Sequence, residues 1–411
     1  MPSRREFLLA ACSTALGQPA YGFPTASVTT TACDSCNADS PTQSQTVKLF
    51  VCGDVMTGRG IDQILPHPGD PTLHEPYVRS AVRYVELAEA ASGAIARPVD
   101  FAYIWGDALA VLDDERPRAR IVNLETAITT ANDAWPRKGI HYRMHPRNVA
   151  CLAAARIDCC VLGNNHVLDW GYAGLRETIE ALHAASIATA GAGRDEPEAA
   201  HPAVLPSGPE GRVLVFAFGT ASAGVPHAWQ AGPRGGVDLL DDFSTRSVER
   251  IAQQVAAHKR QRDIVIVSLH WGSNWGYEVD PARREFARRL IDVAGVDVIH
   301  GHSSHHPVGI EIYRDRPILY GCGDFVNDYE GIGGEEAFRP ELTAAYFVTL
   351  DAASGRLAEL ALVPLRMRRF RLGRASADEA RWLAHALDRE SRAFDTRIVV
   401  ETTNRLVVRP K

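Results

Sequence analysis

Nowhere does this chain carry an apolar run long enough to cross a bilayer, and no internal repeat is visible along its 411 residues. Basic residues are in deficit: 44 Lys and Arg stand against 50 Asp and Glu, a formal charge of -6. That balance excludes the electrostatic footprint of a nucleic-acid binder or of a protein held to an anionic membrane surface. The one dense basic run, Arg366-Met367-Arg368-Arg369-Phe370-Arg371, reads as a solvated strand face rather than an anion site. Cysteine is sparse too, at eight residues. Cys33-Asp34-Ser35-Cys36 is a lone C-x-x-C without a second pair, which excludes a structural zinc ribbon and leaves a local disulfide or nothing. Cys52, Cys151, Cys159, Cys160 and Cys322 fall in apolar contexts and read as small buried hydrophobes, not as a disulfide framework.

What is present is ample hydrophobic material, 45% of the chain, enough for a sizeable core. Residues 1–26 look like a twin-arginine export signal: Ser3-Arg4-Arg5-Glu6-Phe7-Leu8-Leu9 precedes a short Ala-rich apolar stretch. This predicts export to the periplasm or cell envelope, with a cytoplasmic address as the alternative. Leu9-Ala10-Ala11-Cys12 also resembles a lipobox, but almost no hydrophobic segment precedes it, which argues against lipidation. Residues 27–46, rich in Thr, Ser, Ala and Asn, have too little apolar surface to repay ordering and read as a disordered linker. The folded domain is expected over 47–366, with 367–411 adding a helix and a strand packed on it.

Within that domain one pattern recurs: a short apolar run, read as a buried strand, ends in polar residues. Residues 47–52 lead into Gly53-Asp54, 119–122 into Asn123-Leu124-Glu125, and 159–162 into Gly163-Asn164-Asn165-His166 with Asp169. Residues 263–269 lead into His270-Trp271-Gly272, 296–299 into His300-Gly301-His302-Ser303-Ser304-His305, and 317–320 into Gly321-Cys322-Gly323-Asp324. In open α/β sheets ligands bind beyond the strand ends, so these groups are expected to converge. Helical patterns at 77–94 and 99–112, after Gly171, at Asp280-Pro281 and at the capping box Ser376-Ala377-Asp378-Glu379 alternate with the strands and predict an α/β fold. The aromatics Tyr77, Tyr84, Phe101, Tyr103 and Trp105 of this region read as core.

Carboxylate oxygen and imidazole nitrogen are what a divalent metal takes when it is held for hydrolysis. Asp54, Glu125, Asn165, His166, His270, His302 and His305 make nearly a full complement for one or two metals. His270 carries most weight, because an imidazole after a long apolar strand is otherwise buried without need.

Gly53-Asp54-Val55-Met56 with Arg59, Asn123-Leu124-Glu125, Asn164-Asn165-His166 with Asp169, His270-Trp271-Gly272 and Gly301-His302-Ser303-Ser304-His305 resemble the bacterial capsule-synthesis CapA family, also called poly-γ-glutamate synthesis proteins. The resemblance implies a four-layer α/β/β/α sandwich of the calcineurin-like metallophosphoesterase kind. It implies Asp54 as a ligand of a first metal and Glu125 as a bridging carboxylate. Asn165, His270 and one of His302 and His305 would serve a second metal, with the other histidine on the first. His166 would protonate the leaving group, Asp169 would fix its tautomer, and Arg59 would meet a phosphate or carboxylate oxygen. Two departures bear on the first metal: Met56 stands where these enzymes usually carry histidine, and their His-x-His is stretched to His302-x-x-His305.

The function so implied is hydrolysis of a phosphoester or related bond with one or two manganese, zinc or iron ions, in capsule or poly-γ-glutamate biosynthesis. The substrate would be a small molecule or polymer bearing phosphate or carboxylate groups. The alternative is a non-catalytic scaffold or polymer-handling subunit of a capsule synthesis complex. Trp271, Trp275 and Tyr277, next to His270, either wall the cleft or pack around it.

Overall fold

A computed structural model describes residues 45–208 and 211–411. The expected leader at 1–26, Cys33 and Cys36, and nearly all of the expected linker at 27–46 lie outside the described residues. Among the described residues the chain is a mixed α/β structure with eight α-helices and two large sheets, and no helix is long and apolar enough to cross a membrane.

Five strands carry the expected polar ends: β1 (Thr46–Val55), β2 (Ala119–Leu124), β3 (Cys159–Val161), β4 (Ile264–His270) and β5 (Val298–His302). The strand expected at 317–320 forms as Arg316–Leu319 in the second sheet, and Asp324 opens a separate strand, β6 (Asp324–Val326), in the first. β2, β4 and β5 are buried throughout, as near-continuous apolar runs in parallel strands require. β1 is the hub of a ten-stranded sheet. It pairs parallel with β2 and β6 and antiparallel with Leu342–Asp351. β3 lies beyond β2 in the same sheet. In the second sheet, of seven strands, β4 lies between Arg212–Thr220 and β5, all parallel.

Alternation along the strands divides the core. Val47, Leu49 and Val51 of β1 face a cluster shared with Ile264, Ile266 and Val298 of the second sheet. Phe50 and Cys52 point the other way, toward Leu175, Ile179 and Leu182 of the helix Gly171–Ala184. On the far side of the second sheet, Val265 and Val267 pack with Ile251 of the helix Thr245–His258 and with Phe286 and Leu290 of the helix Pro281–Ala294. The shared cluster brings the two sheets together, so the ends of β1, β2, β4 and β5 meet.

The local signals for helix ends hold. Asp280 accepts a hydrogen bond from the Arg283 N–H with Pro281 in the first turn, and Ser376 and Glu379 form a capping box before Ala377–Ser391. The five described cysteines are free and buried. Between β1 and β2 the outcome differs. The helix expected at 77–94 runs only over Val82–Ser92, because a bridge between Thr72 and Ser80 keeps the preceding segment extended. The helix expected at 99–112 breaks at Gly106 (φ 44) into a single turn, Tyr103–Trp105, and the helix Ala108–Glu115. Tyr84 and Trp105 are core, and Phe101 and Tyr103 pack against it, whereas Tyr77 is 71% exposed.

Candidate metal centre

β1 delivers Asp54 through a backbone contact that only glycine permits. A Cβ on Gly53 would lie 1.7 Å from the carbonyl oxygen of Gly323, and the Asp54 N–H donates to that same oxygen at 3.0 Å. The register of β1 on β2 shifts between Cys52 and Asp54. The turn that carries Gly323 (φ 76) runs straight into β6, where Asp324 stands in register with Asp54. Two buried carboxylates are thereby set side by side.

The histidines arrive from the second sheet. Ligand atoms of Asp54, His270 and His302 all lie within 4.8 Å of one another, and so do those of Asp54, His305 and Asp324. Asp54 is the member common to both groups, whereas the resemblance implied Glu125 as the bridge. Asp324 belongs to the second group although no ligand role was expected of it. Its signal was its place at the end of a strand-and-glycine motif of the same form as Gly53-Asp54. Asp54 is further held by the Asn123 side-chain amide at 2.7 Å and by the Ser303 N–H at 3.2 Å. Ser303 adopts φ 97, in the left-handed region that favours glycine, within the stretched His302-x-x-His305 motif.

Glu125 and Asn165 stand outside both groups. Glu125 Oε1 is 3.7 Å from His270 Nε2 and 3.8 Å from His166 Nε2. The buried Glu125 Oε2, Asn165 Oδ1 and His270 Nε2 have no hydrogen-bond partner. Each can offer a lone pair, and buried acceptors left alone are costly. Carboxylate, amide oxygen and imidazole are also the donors that a divalent cation takes, so the residues present fit a metal.

His166 lies at the edge. Its Nδ1 is 2.6 Å from Asp169 Oδ2, and Lys138 Nζ sits 2.8 Å from Asp169 Oδ1 and 3.1 Å from His166 Nδ1. Because the carboxylate only accepts, the ring carries its proton on Nδ1 and leaves Nε2 bare toward Glu125. Burial pushes the His166 pKa down to about 4 against the pull of Asp169. The Asp169 carboxyl, though buried, is held below its ordinary range by the His166 ring and the Lys138 ammonium.

Arg59 meets the chain's own carboxylates. It donates to Asp328 through Nε (3.1 Å) and Nη2 (2.5 Å), and to Glu75 through Nη1 at 3.0 Å, while its guanidinium stacks on Tyr84 and Tyr142. Met56 is buried and accepts from the Tyr329 hydroxyl at 3.6 Å. Trp271 is a packing residue, its indole donating to the Tyr320 carbonyl at 2.9 Å. Trp275 lies 5.4 Å from the His305 ring and stacks on His306, which Tyr277 meets edge-on.

Burial, then the Asp324 charge, raises the Asp54 pKa to about 7. Burial and the Asp54 and Asp324 charges raise Glu125 well above its ordinary range. His270 and His302 are pushed well down by burial and by neighbouring histidines. For His305 burial acts downward, but Asp324 and Asp54 outweigh it and the net shift is upward. With neutral imidazoles at His270 and His302 and raised carboxyl pKa values at Asp54 and Glu125, the centre holds protons that a cation would displace.

Comparison with known proteins adds a family context. The family model described as "Bacterial capsule synthesis protein PGA_cap" matches residues 48–329. A "Probable polyglutamine synthesis accessory protein" of Mycobacterium tuberculosis is 51% identical over 366 residues, which cover 89% of this chain and 96% of that protein. The "Capsule biosynthesis protein CapA" of Bacillus anthracis is 24% identical over 287 residues, 70% of this chain and 61% of that one. The "PGA biosynthesis protein CapA" of Bacillus subtilis is 25% identical over 277 residues, 67% and 62% respectively.

Proposed function

This chain belongs to the bacterial capsule synthesis protein PGA_cap family, and on that premise we propose that it is a metal-dependent hydrolase of the phosphoester type. Its association with capsule or poly-glutamate synthesis follows from the family and from what its relatives are named for. The observation that carries the chemistry is the convergence of Asp54, His270, His302, His305 and Asp324 beside three buried acceptor atoms without partners, on Glu125, Asn165 and His270. The two sheets share one core and each packs helices on its outer side, which we read as the four layers of a metallophosphoesterase. On the same reading residues 47–366 form the hydrolase domain, 367–411 pack on it, and the leader at 1–26 carries it to the periplasm or cell envelope.

A divalent metal held by Asp54 with His270 and His302, and by Asp54 with His305 and Asp324, would supply Lewis acidity and lower the pKa of a water. Around it the chain's own groups have separate tasks. Glu125 and Asn165 would complete the donor set with their free oxygens. His166 presents an unprotonated Nε2, so it would accept the proton that the attacking water sheds, where the resemblance implied a donor to the leaving oxygen. Asp169 fixes the ring, and Lys138 holds Asp169 ionised. Trp275 would line the approach beside His305.

A second reading, an accessory protein without turnover, is favoured by one feature of the same site. Arg59 and Lys138, the cations beside it, are each already paired with buried carboxylates, and neither is free for an anionic substrate.

The test joins elemental analysis of metal with hydrolysis of an aryl phosphate in manganese or zinc, for wild type, His270→Ala and His166→Ala. Metal that is lost in His270→Ala, together with turnover that is lost in His166→Ala, supports the hydrolase. Bound metal without turnover supports the accessory role, and a wild type that takes up no metal overturns both the centre and its chemistry.

A further inference from the structure

Behind His302 lies a buried chain of hydrogen bonds that no step above uses. Ser268 Oγ is 2.8 Å from His302 Nε2 and 3.0 Å from His300 Nδ1. His300 Nε2 is in turn 2.8 Å from the carbonyl oxygen of Cys52. At the other end His302 Nδ1 is 2.9 Å from His270 Nδ1 and 3.9 Å from Asp54 Oδ1. The sheet sets this up: β4 and β5 pair so that Ser268 lies opposite His300 and His270 opposite His302, and residues two apart on β5 share a face.

The direction of each bond from Cys52 to His302 can be assigned. A carbonyl only accepts, so His300 carries a proton on Nε2. A second proton on His300 would create a buried charge whose partners, a carbonyl and a hydroxyl, include no carboxylate, so its Nδ1 is bare. The Ser268 hydroxyl therefore donates to His300, and its oxygen is left to accept from His302. We infer that Ser268 and His300 are positioning residues that hold His302 as the Nε2–H tautomer and present its Nδ1 lone pair toward Asp54 and His270 as the metal-ligating atom. The ligand role rests on the metal reading above, whereas the tautomer does not. A ligating histidine commonly needs such a partner on its other nitrogen. Here the partner chain ends on Cys52, two residues before Asp54, so it also ties the strand of the carboxylate to the strand of the imidazole across the two sheets.

The experiment is a long-range proton–nitrogen correlation spectrum of metal-free, histidine-labelled full chain, with His302 assigned from the His302→Gln variant, followed by titration with manganese and zinc. Wild type is expected to show His302 protonated at Nε2. Ser268→Ala is expected to show mixed tautomers and about 10- to 100-fold weaker metal binding, and Ser268→Thr, which keeps the hydroxyl, to restore both. His302 protonated at Nδ1 in wild type overturns the inference without any variant, so a poorly folding Ser268→Ala does not shield it. Ser268→Ala that folds with unchanged tautomer and affinity overturns it as well. Wild type that binds neither ion overturns the proposed function and the ligand role, and the tautomer measurement still reports on the relay by itself.

Discussion

Asp54 and Asp324 are register partners on the parallel strands β1 and β6, two buried carboxylates brought abreast by the contact between Gly53 and Gly323. The Asp324 charge follows burial as the chief cause of the upward shift at Asp54. Asp324→Asn should therefore bring the Asp54 pKa down from about 7 and weaken metal binding by at least about tenfold. Titration of the Asp54 carboxyl without metal and calorimetric titration with manganese check the two arms. Unchanged affinity would remove Asp324 from the centre.

Metal uptake should also depend on pH with a definite sign. The Asp54 carboxyl titrates near pH 7 in the metal-free fold, against an ordinary value of 3.8. Between those values the folded chain binds more protons than the unfolded one, so this group's contribution to stability falls as pH rises from about 4 to about 7. A cation must displace the same proton, so affinity should rise over that window and level off above it. Asp54→Asn should abolish that part of both slopes, which unfolding and binding measured at pH 5, 6, 7 and 8 would reveal.

How much of this was legible in the sequence follows from what kind of signal each residue gave. β4 announces His270, because an imidazole that closes a buried apolar run is costly to bury unless something binds it. The same holds for Asp54 near the end of β1. Asp324 was harder, since its strand has three residues and its carboxylate gains meaning only from register with Asp54. Arg59 looked available for an anion, because Asp328 and Glu75, which hold it, are 269 and 16 residues away along the chain. Ser268 read as strand interior, and His300 as one more residue of a polar strand end, for the same reason: their roles lie in contacts between strands and between sheets, which no local pattern encodes.

Arg59 itself should behave as a structural residue. It bridges Asp328 and Glu75, all three of them buried, and lies against the Tyr84 and Tyr142 rings. Removing one partner of a buried ion pair strands the other, at a cost of about 3–5 kcal/mol. Arg59→Ala should lower unfolding free energy by that order in urea titrations, while material that remains folded keeps its metal. A variant of wild-type stability that has lost only substrate affinity would instead return Arg59 to the role implied by the family resemblance.

Lys138 gives the sharpest test of the proton-transfer group. Its ammonium contacts both Asp169 and His166 Nδ1, and it opposes the effect of Asp169 by keeping a second positive charge off the imidazole. Lys138→Met should therefore raise the His166 pKa from about 4 toward the ordinary histidine value. Asp169→Asn should act differently: it puts an amide that can donate where an acceptor-only carboxylate fixed the Nδ1–H tautomer, so His166 loses its bare Nε2 in part of the population. On the hydrolase reading, Asp169→Asn costs about 10²- to 10⁴-fold in turnover, while Lys138→Met shifts the acid limb of the rate profile upward with less loss at its plateau. Titration of the His166 Cε1 proton in metal-free protein measures the first effect directly. A pKa that stays put or falls in Lys138→Met would mean that the ammonium serves only to anchor the Ile140 carbonyl, to which it also donates at 2.9 Å.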